Sequence, residues 1–161
     1  MAVKPSKKAS GRGALRAELV TQLEEALALA SAAHAATVAG ATHAESKPEN
    51  DKDTRALELT YLARGQAQRV VELQAALVEL ASWSPRGFSD DDAIALGALV
   101  TLDEDGDERR LFVAPSGGGN QLAGGVQVVT PQSPLGVALL GKYVGDEVEL
   151  RGRRMEIVDV A

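Results

Sequence analysis

The sequence predicts an α+β protein in which an N-terminal antiparallel coiled-coil hairpin precedes a small antiparallel sheet domain with one short helix. The first half is rich in Ala, Leu, Glu and Gln, whereas the second half holds most of the Gly and alternating Val. Two long Pro-free segments, residues 14–44 and 54–83, carry apolar residues at three- and four-residue steps, which is typical of helices. Short apolar runs bounded by turn residues follow them and are typical of strands. A chain of 161 residues allows two small units, and the change in composition favours two.

The first segment, residues 1–13, is basic and rich in small residues. No hydrophobic stretch follows it, as a signal peptide would require. We expect a disordered tail whose Lys4, Lys7, Lys8 and Arg12 are available for weak binding of an acidic partner.

The two long segments form the predicted hairpin of residues 14–83. Each has an apolar seam that is too narrow for a globular core but that the other helix could cover. The Ala-rich part of the first helix could instead pack on a third helix or on a second protomer. At about 1.5 Å rise per residue, helices of this length give an arm of roughly 45 Å. The seam residues are Leu15, Leu19, Leu23, Leu27, Ala30, Ala33 and Val38 in the first helix and Leu59, Ala63, Val70, Leu73, Leu77 and Leu80 in the second.

The turn of residues 45–53 joins the helices and is acidic. Pro48 and Asn50 provide the break, because Pro disfavours a helical residue before it and Asn tolerates turn geometry. The residues alone favour a solvated turn in which Asp51 or Asp53 caps or opens the second helix. The functional alternative is that carboxylates at the end of a rigid arm add oxygen ligands to a hard cation in another protein's cleft.

The pattern of short apolar runs in the last segment, residues 88–161, predicts an antiparallel sheet. Strands are expected at residues 98–102, 109–113, 126–130, 144–150 and 155–160, with an Asp-Gly turn between the first two. A short helix begins at Ser133, with Pro134 at its first position, as helix starts prefer.

The composition excludes several classes of protein. A net charge of −6 leaves no broad basic surface for duplex nucleic acid. The chain has no Cys, which removes disulfides and thiol chemistry and suits the cytoplasm. No apolar run approaches the roughly 20 residues that cross a bilayer.

Three segments resemble known ligand-binding motifs but lack residues that those motifs require. Asp103–Asp107 lacks the glycine and glutamate positions of a calcium-binding loop. Gly136–Lys142 is followed by Tyr143 where a phosphate-binding loop needs Ser or Thr. The glycines at 117–119 lack the third glycine of a dinucleotide fingerprint, so no cofactor of the protein's own is expected.

The run Ser-Pro-Leu-Gly-Val-Ala-Leu-Leu-Gly-Lys-Tyr-Val-Gly-Asp-Glu-Val at residues 133–148 closely resembles the bacterial Gre family of transcription elongation factors, the GreA/GreB type. This run encodes a helix start, a glycine at the helix end and a turn into the last hairpin. The order of parts, a helical hairpin and then a sheet domain, also fits. The resemblance implies that the sheet domain is similar to an FKBP-like fold without isomerase chemistry.

The resemblance further implies a monomeric factor, not itself an enzyme, that docks at the secondary channel of RNA polymerase and contacts nascent RNA indirectly. Docking is carried over to Ser133, Pro134, Leu135, Gly136 and Lys142. The coiled coil would reach the active centre, where tip acids help to hold a Mg²⁺ shared with the polymerase so that backtracked RNA is cleaved. DNA binding and a cytoplasmic location, with no membrane partner, are further family expectations.

At the tip, the family pattern is Asp-Leu-Ser-Glu-Asn, with two acids three residues apart. This chain has Glu49, Asp51 and Asp53 at two-residue steps, and we expect these to be the assisting acids. The alternative function is a non-cleaving regulator of initiation or pausing that occupies the same channel. A third hypothesis is a helical interaction module whose sheet domain binds something else.

Overall fold

The computed structural model describes residues 7–45 and 50–161. Two long helices precede a six-stranded sheet that is covered by one short helix. The predicted α+β class, with two long helices followed by a sheet domain and one short helix, is therefore confirmed. The elements in chain order are α1 (Lys7–Glu45), α2 (Asn50–Ser82), β1 (Leu99–Glu104), β2 (Asp107–Val113), β3 (Gln121–Leu122), β4 (Val126–Val129), α3 (Pro134–Leu139), β5 (Glu147–Leu150) and β6 (Arg153–Val160).

Helix α1 begins earlier than the sequence predicts. Residues 7–13, expected in a disordered tail, are helical, and only residues 1–6 of that expected tail lie outside the described residues. No Pro interrupts this stretch, and extending an existing helix by one residue is far easier than nucleating one. Gly11 and Gly13 weaken the segment but do not end it.

Contacts divide the chain into two units. One comprises the described residues up to Thr21 together with Glu79–Ala161, and the other is Gln22–Val78. The first unit therefore contains the base of each long helix as well as the sheet. The predicted boundary between arm and sheet domain, near residues 83–88, does not coincide with this division.

The unit Gln22–Val78 is a helical hairpin. A Cβ added to Gly40 of α1 would lie 3.8 Å from Cδ1 of Leu59 in α2, so the two backbones run close together there. Leu23 and Leu73 are buried in this unit, and so are Ala41 and Ala56. On α2, the less exposed positions follow the predicted three- and four-residue steps through Gln66.

The seam of α1 differs from the prediction in its Ala-rich half. His34, Thr37 and Ala41 are the less exposed positions there, whereas Ala33 and Val38 are exposed. When nearly every residue is small, the apolar pattern does not distinguish one helix face from the next. The tertiary contact chooses the face instead.

The sheet has the strand order β3-β4-β2-β1-β6-β5. It is mixed, because β2 pairs in parallel with β4 while every other recorded pair is antiparallel. The predicted all-antiparallel pairing is wrong at this one pair. A long connection between β2 and β4, which includes β3, lets the chain return to the same end of the sheet before β4 begins.

Two hairpins of the sheet close with two-residue loops. Asp105 and Gly106 join β1 to β2, with φ of 54° and 94°. Arg151 and Gly152 join β5 to β6, with φ of 53° and 76°. Positive φ at both central residues matches the right-handed twist of the strands and favours Asn-Gly or Asp-Gly. The first loop has that sequence and the second does not.

Both faces of the sheet are covered. On one face, Val100, Leu102, Leu111 and Ile157 form a fully buried core with Leu139 of α3. The other face is also buried, although its residues lie outside that core, and they include Phe112, Leu122, Val126 and Val128.

The base of the helical arm packs on this second face. The rings of Trp83 and Phe112 are 5.9 Å apart. Leu19 of α1 lies so close to the loop after β2 that a Cβ on Gly117 would be 2.7 Å from its Cδ1. The Glu18 carboxylate accepts the backbone N–H of Ala123 at 2.9 and 3.1 Å.

The segment between α2 and β1 is held by a local turn. The Asp92 carboxylate accepts the backbone N–H of Ser89 at 2.8 Å and its hydroxyl at 3.1 Å. These bonds, chiefly the one from the backbone, lower the pKa of Asp92 below its ordinary value.

Candidate functional site

The start of helix α3 forms a rigid corner on the sheet domain. The Ser133 hydroxyl accepts the backbone N–H of Gly136 at 3.0 Å and donates to the carbonyl of Thr130 at 2.8 Å. Pro134 occupies the first helical turn, where its missing N–H leaves no bond unmade. Ser133 therefore fixes the direction in which the helix leaves the loop.

Gly136 is required by close packing. A Cβ added there would lie 1.9 Å from the carbonyl oxygen of Thr130 and 2.8 Å from its carbon. Because backbone atoms cannot move aside as a flexible side chain can, any other residue would displace α3 from the sheet.

The five predicted docking residues lie along α3 and the turn that follows it, but they differ in accessibility. Leu135 and Gly136 are buried, and Leu135 belongs to the core. Pro134 and Lys142 are exposed and Ser133 is half-buried. The backbone of Lys142 is fixed because its carbonyl accepts the N–H of Ile94 at 2.8 Å. Only some of the five motif residues are therefore accessible to a partner.

Two exposed apolar residues extend this surface. Val137 on α3 is 65% exposed, and Tyr143 in the next turn is 49% exposed. The sequence did not single them out, because Val137 lies within a continuous apolar run that cannot be divided into inner and outer residues before the helix is placed. Exposed apolar residues beside a polar rim are typical of protein-binding surfaces.

An open groove of about 250 Å³ lies beside the start of α3. Its apolar lining includes Val129, Leu135 and Leu150. Its polar side chains are Gln127 of β4, Ser133 and two arginines, Arg109 and Arg151. A volume of this size accommodates a few side chains, so the groove suits a short loop rather than a whole domain.

The predicted tip acids fall at the edge of the described residues. Glu49 lies outside them. The backbones of Asp51 and Asp53 are in the first turn of α2, but their side chains are outside the described part. Their role stays a prediction.

Within residues 7–45 and 50–161, no group of three or more His, Asp or Glu side chains is placed to hold a metal ion. The same residues include no helix that is both long and apolar enough to cross a bilayer.

Comparison with known proteins agrees with this geometry. Residues 89–161 match the family model described as "Transcription elongation factor, GreA/GreB, C-term". That range holds the whole sheet, the groove and all five predicted docking residues. No curated protein sequence matches the chain.

Among solved structures, GreA factor homolog 1 (Gfh1) of Thermus thermophilus is 17% identical and has a TM-score of 0.39, with 88% of this chain and 94% of that chain covered. Gfh1 of Thermus aquaticus is 19% identical and has a TM-score of 0.38, with 90% of each chain covered.

The run Ser133 to Val148, which suggested the family, lies at the α3 corner and the hairpin after it, and the family model spans both. The sheet domain, residues 89–161, therefore matches the C-terminal domain of the GreA/GreB transcription elongation factors.

Proposed function

We propose that this protein binds RNA polymerase through the secondary channel and stimulates cleavage of backtracked RNA. The observation that carries the proposal is the match of residues 89–161 to the GreA/GreB C-terminal domain, preceded by a helical hairpin in the same chain. The protein acts as an activator, and the polymerase performs the reaction. Its partners are RNA polymerase directly and nascent RNA indirectly, and it works as a monomer in the cytoplasm.

In this proposal, the sheet domain anchors the protein and the hairpin carries the acids. Pro134 and Lys142 make the outer contact, since both are exposed on a rigid corner. Leu135 and Gly136 hold that corner in place from within. Glu49, Asp51 and Asp53 lend oxygen ligands to a Mg²⁺ shared with the polymerase, because Mg²⁺ prefers oxygen and rarely has a full protein cage.

The decisive experiment measures RNA cleavage in stalled elongation complexes at saturating protein. Wild type should accelerate trimming of the RNA 3′ end. The variant with Glu49, Asp51 and Asp53 all changed to Ala should lose the acceleration but keep polymerase binding. Changing three exposed acids of the sheet domain to Ala together, Glu108, Glu147 and Glu156, provides a control with the same change in charge. Unchanged cleavage by the tip variant would exclude these acids from the mechanism.

A specific observation supports a second candidate function, a regulator of initiation or pausing that occupies the channel without stimulating cleavage. The tip acids lie at two-residue steps instead of the family's three-residue pair. If wild type binds polymerase but leaves the cleavage rate unchanged, the regulator replaces the cleavage factor. If it neither binds nor competes for polymerase at low salt, a different interaction module is the better description.

A further inference from the structure

We propose that Arg109 and Arg151 make the groove beside α3 selective for an acidic polypeptide segment of the partner. The inference rests on the proposed function, since the partner is taken to be RNA polymerase. It adds the chemistry that the groove recognises and the two residues that recognise it.

Arg109 presents a guanidinium that its neighbours position but do not neutralise. It is half-buried on β2, on the same face as the core. One terminal nitrogen donates to Oε1 of Gln127 at 3.3 Å, and the other contacts the sulfur of Met155 at 3.9 Å. Both acceptors are uncharged, and a guanidinium has five N–H donors. Several donors therefore remain for a carboxylate, which arginine binds in a planar, two-bond geometry.

Arg151 has a backbone conformation that is disfavoured for arginine. Its φ of 53° lies in the left-handed region, where Asn, Asp and Gly are favoured. The Arg151 side chain is exposed and lines the groove, so it does not stabilise the turn in which its backbone lies. A residue held in a disfavoured conformation at the rim of a groove points to a function for its side chain.

The neighbouring arginines show the contrast. Arg153 pairs with Glu104 at 3.7 Å and Arg154 pairs with Glu149 at 3.8 Å, so local carboxylates already compensate their charges. Over the described part of the chain, no carboxylate forms an ion pair with Arg109 or Arg151. The uncompensated charges of Arg109 and Arg151 therefore both lie at the groove.

The occupant is inferred from size and charge. Val129, Leu135 and Leu150 provide an apolar lining, which suits side chains better than a sugar-phosphate backbone. A short acidic loop with one or two apolar residues suits both the apolar lining and the two arginines of the groove. Complementary charges of this kind set specificity and the rate of association.

The turn chemistry provides a test that does not harm folding. Arg151→Asn places the preferred Asn-Gly sequence in the β5–β6 loop, so its melting temperature should equal or exceed that of wild type. Arg109→Gln removes the other charge. Asp105→Asn changes the matching loop between β1 and β2 in the same way, away from the groove, and is the control.

The measurement is the binding of the labelled 161-residue chain to core RNA polymerase of the source organism, at low and at physiological ionic strength. The double variant Arg109→Gln/Arg151→Asn should bind about tenfold more weakly at low salt and show a smaller salt dependence. Arg151→Asn alone should weaken binding, Arg151→Glu should weaken it further, and Asp105→Asn should not change it.

The outcomes separate the two proposals. If wild type binds and the arginine variants bind equally well, the acidic-segment inference is wrong and the proposed function stands. If wild type does not bind polymerase, both are wrong. If an RNA oligonucleotide binds wild type but not the double variant, the groove takes phosphate and the polypeptide assignment is overturned.

Discussion

Gly136 shows how a single residue sets the position of the corner at the start of α3. Its missing side chain allows α3 to approach the carbonyl of Thr130, and Ser133 then closes the first turn. The sequence identified both residues through their motif, and the structure supplies the reason for each. Conformational freedom is not the reason at Gly136, because the requirement is space.

We expect Gly136→Ala to destabilise the sheet domain by about 3 kcal/mol, the upper range for inserting a methyl group into a packed interior. The added Cβ would lie 1.9 Å from a backbone oxygen, so α3 must move. Chemical denaturation followed by far-UV circular dichroism measures this loss. Val137→Ala on the same helix changes an exposed side chain and should stay within about 0.5 kcal/mol of wild type. Equal stabilities of Gly136→Ala and wild type would show that the loop before α3 relaxes freely.

At the scale of elements, each end of a helix must satisfy its free backbone groups, and α2 does so with a residue from α1. The last turn of α2 contains no basic residue of its own. The Arg16 guanidinium donates to the carbonyl of Leu80 at 3.0 and 2.7 Å and to that of Ala81 at 3.3 Å. A cation at a helix C-terminus also interacts favourably with the helix dipole. This contact joins the bases of the two helices within one unit.

We expect Arg16→Met to lower the free energy of unfolding by about 1.5–3 kcal/mol, the range for hydrogen bonds to a charged group. Methionine retains much of the apolar stem but donates no hydrogen bond, so the carbonyls at the end of α2 lose their partner. Thermal unfolding followed by Trp83 fluorescence reports on this region directly. Arg69→Met is the control, because Arg69 forms only an exposed pair with Glu72 at 4.0 Å. Identical melting of both variants would mean that water replaces Arg16 without loss.

At the scale of the whole molecule, the family match and the structural unit that contains the sheet begin at different residues. The match begins at residue 89, but the unit also includes the base of α1 and the residues from Glu79 onward. Trp83 and Leu19 cover the second face of the sheet, and Glu18 holds the loop at Ala123. The sheet domain therefore depends on residues that a domain boundary at 89 would remove.

We expect a fragment of residues 89–161 to melt at a lower temperature than the sheet domain of the full chain and to bind the dye ANS. Without the helix bases, the buried side chains of Phe112, Val126 and Val128 face solvent. Differential scanning calorimetry and ANS fluorescence measure the two effects. A fragment of residues 79–161, which retains Trp83, should recover part of the loss. A 89–161 fragment as stable as the full chain would contradict the dependence on the arm.

Local sequence signals determined much of this protein. Three- and four-residue apolar steps placed both long helices, Asp105-Gly106 marked a hairpin turn, and Ser133-Pro134 marked the start of α3. These signals depend on interactions between residues close in sequence, so they can be read without the fold.

Only the tertiary structure decided the rest, because it depends on contacts between residues far apart in the chain. The parallel β2–β4 pair, the choice of His34 over Ala33 on the α1 seam and the capping of α2 by Arg16 are of this kind. The groove belongs with them, since Arg109 and Arg151 are separated along the chain and line one site only when the strands fold together.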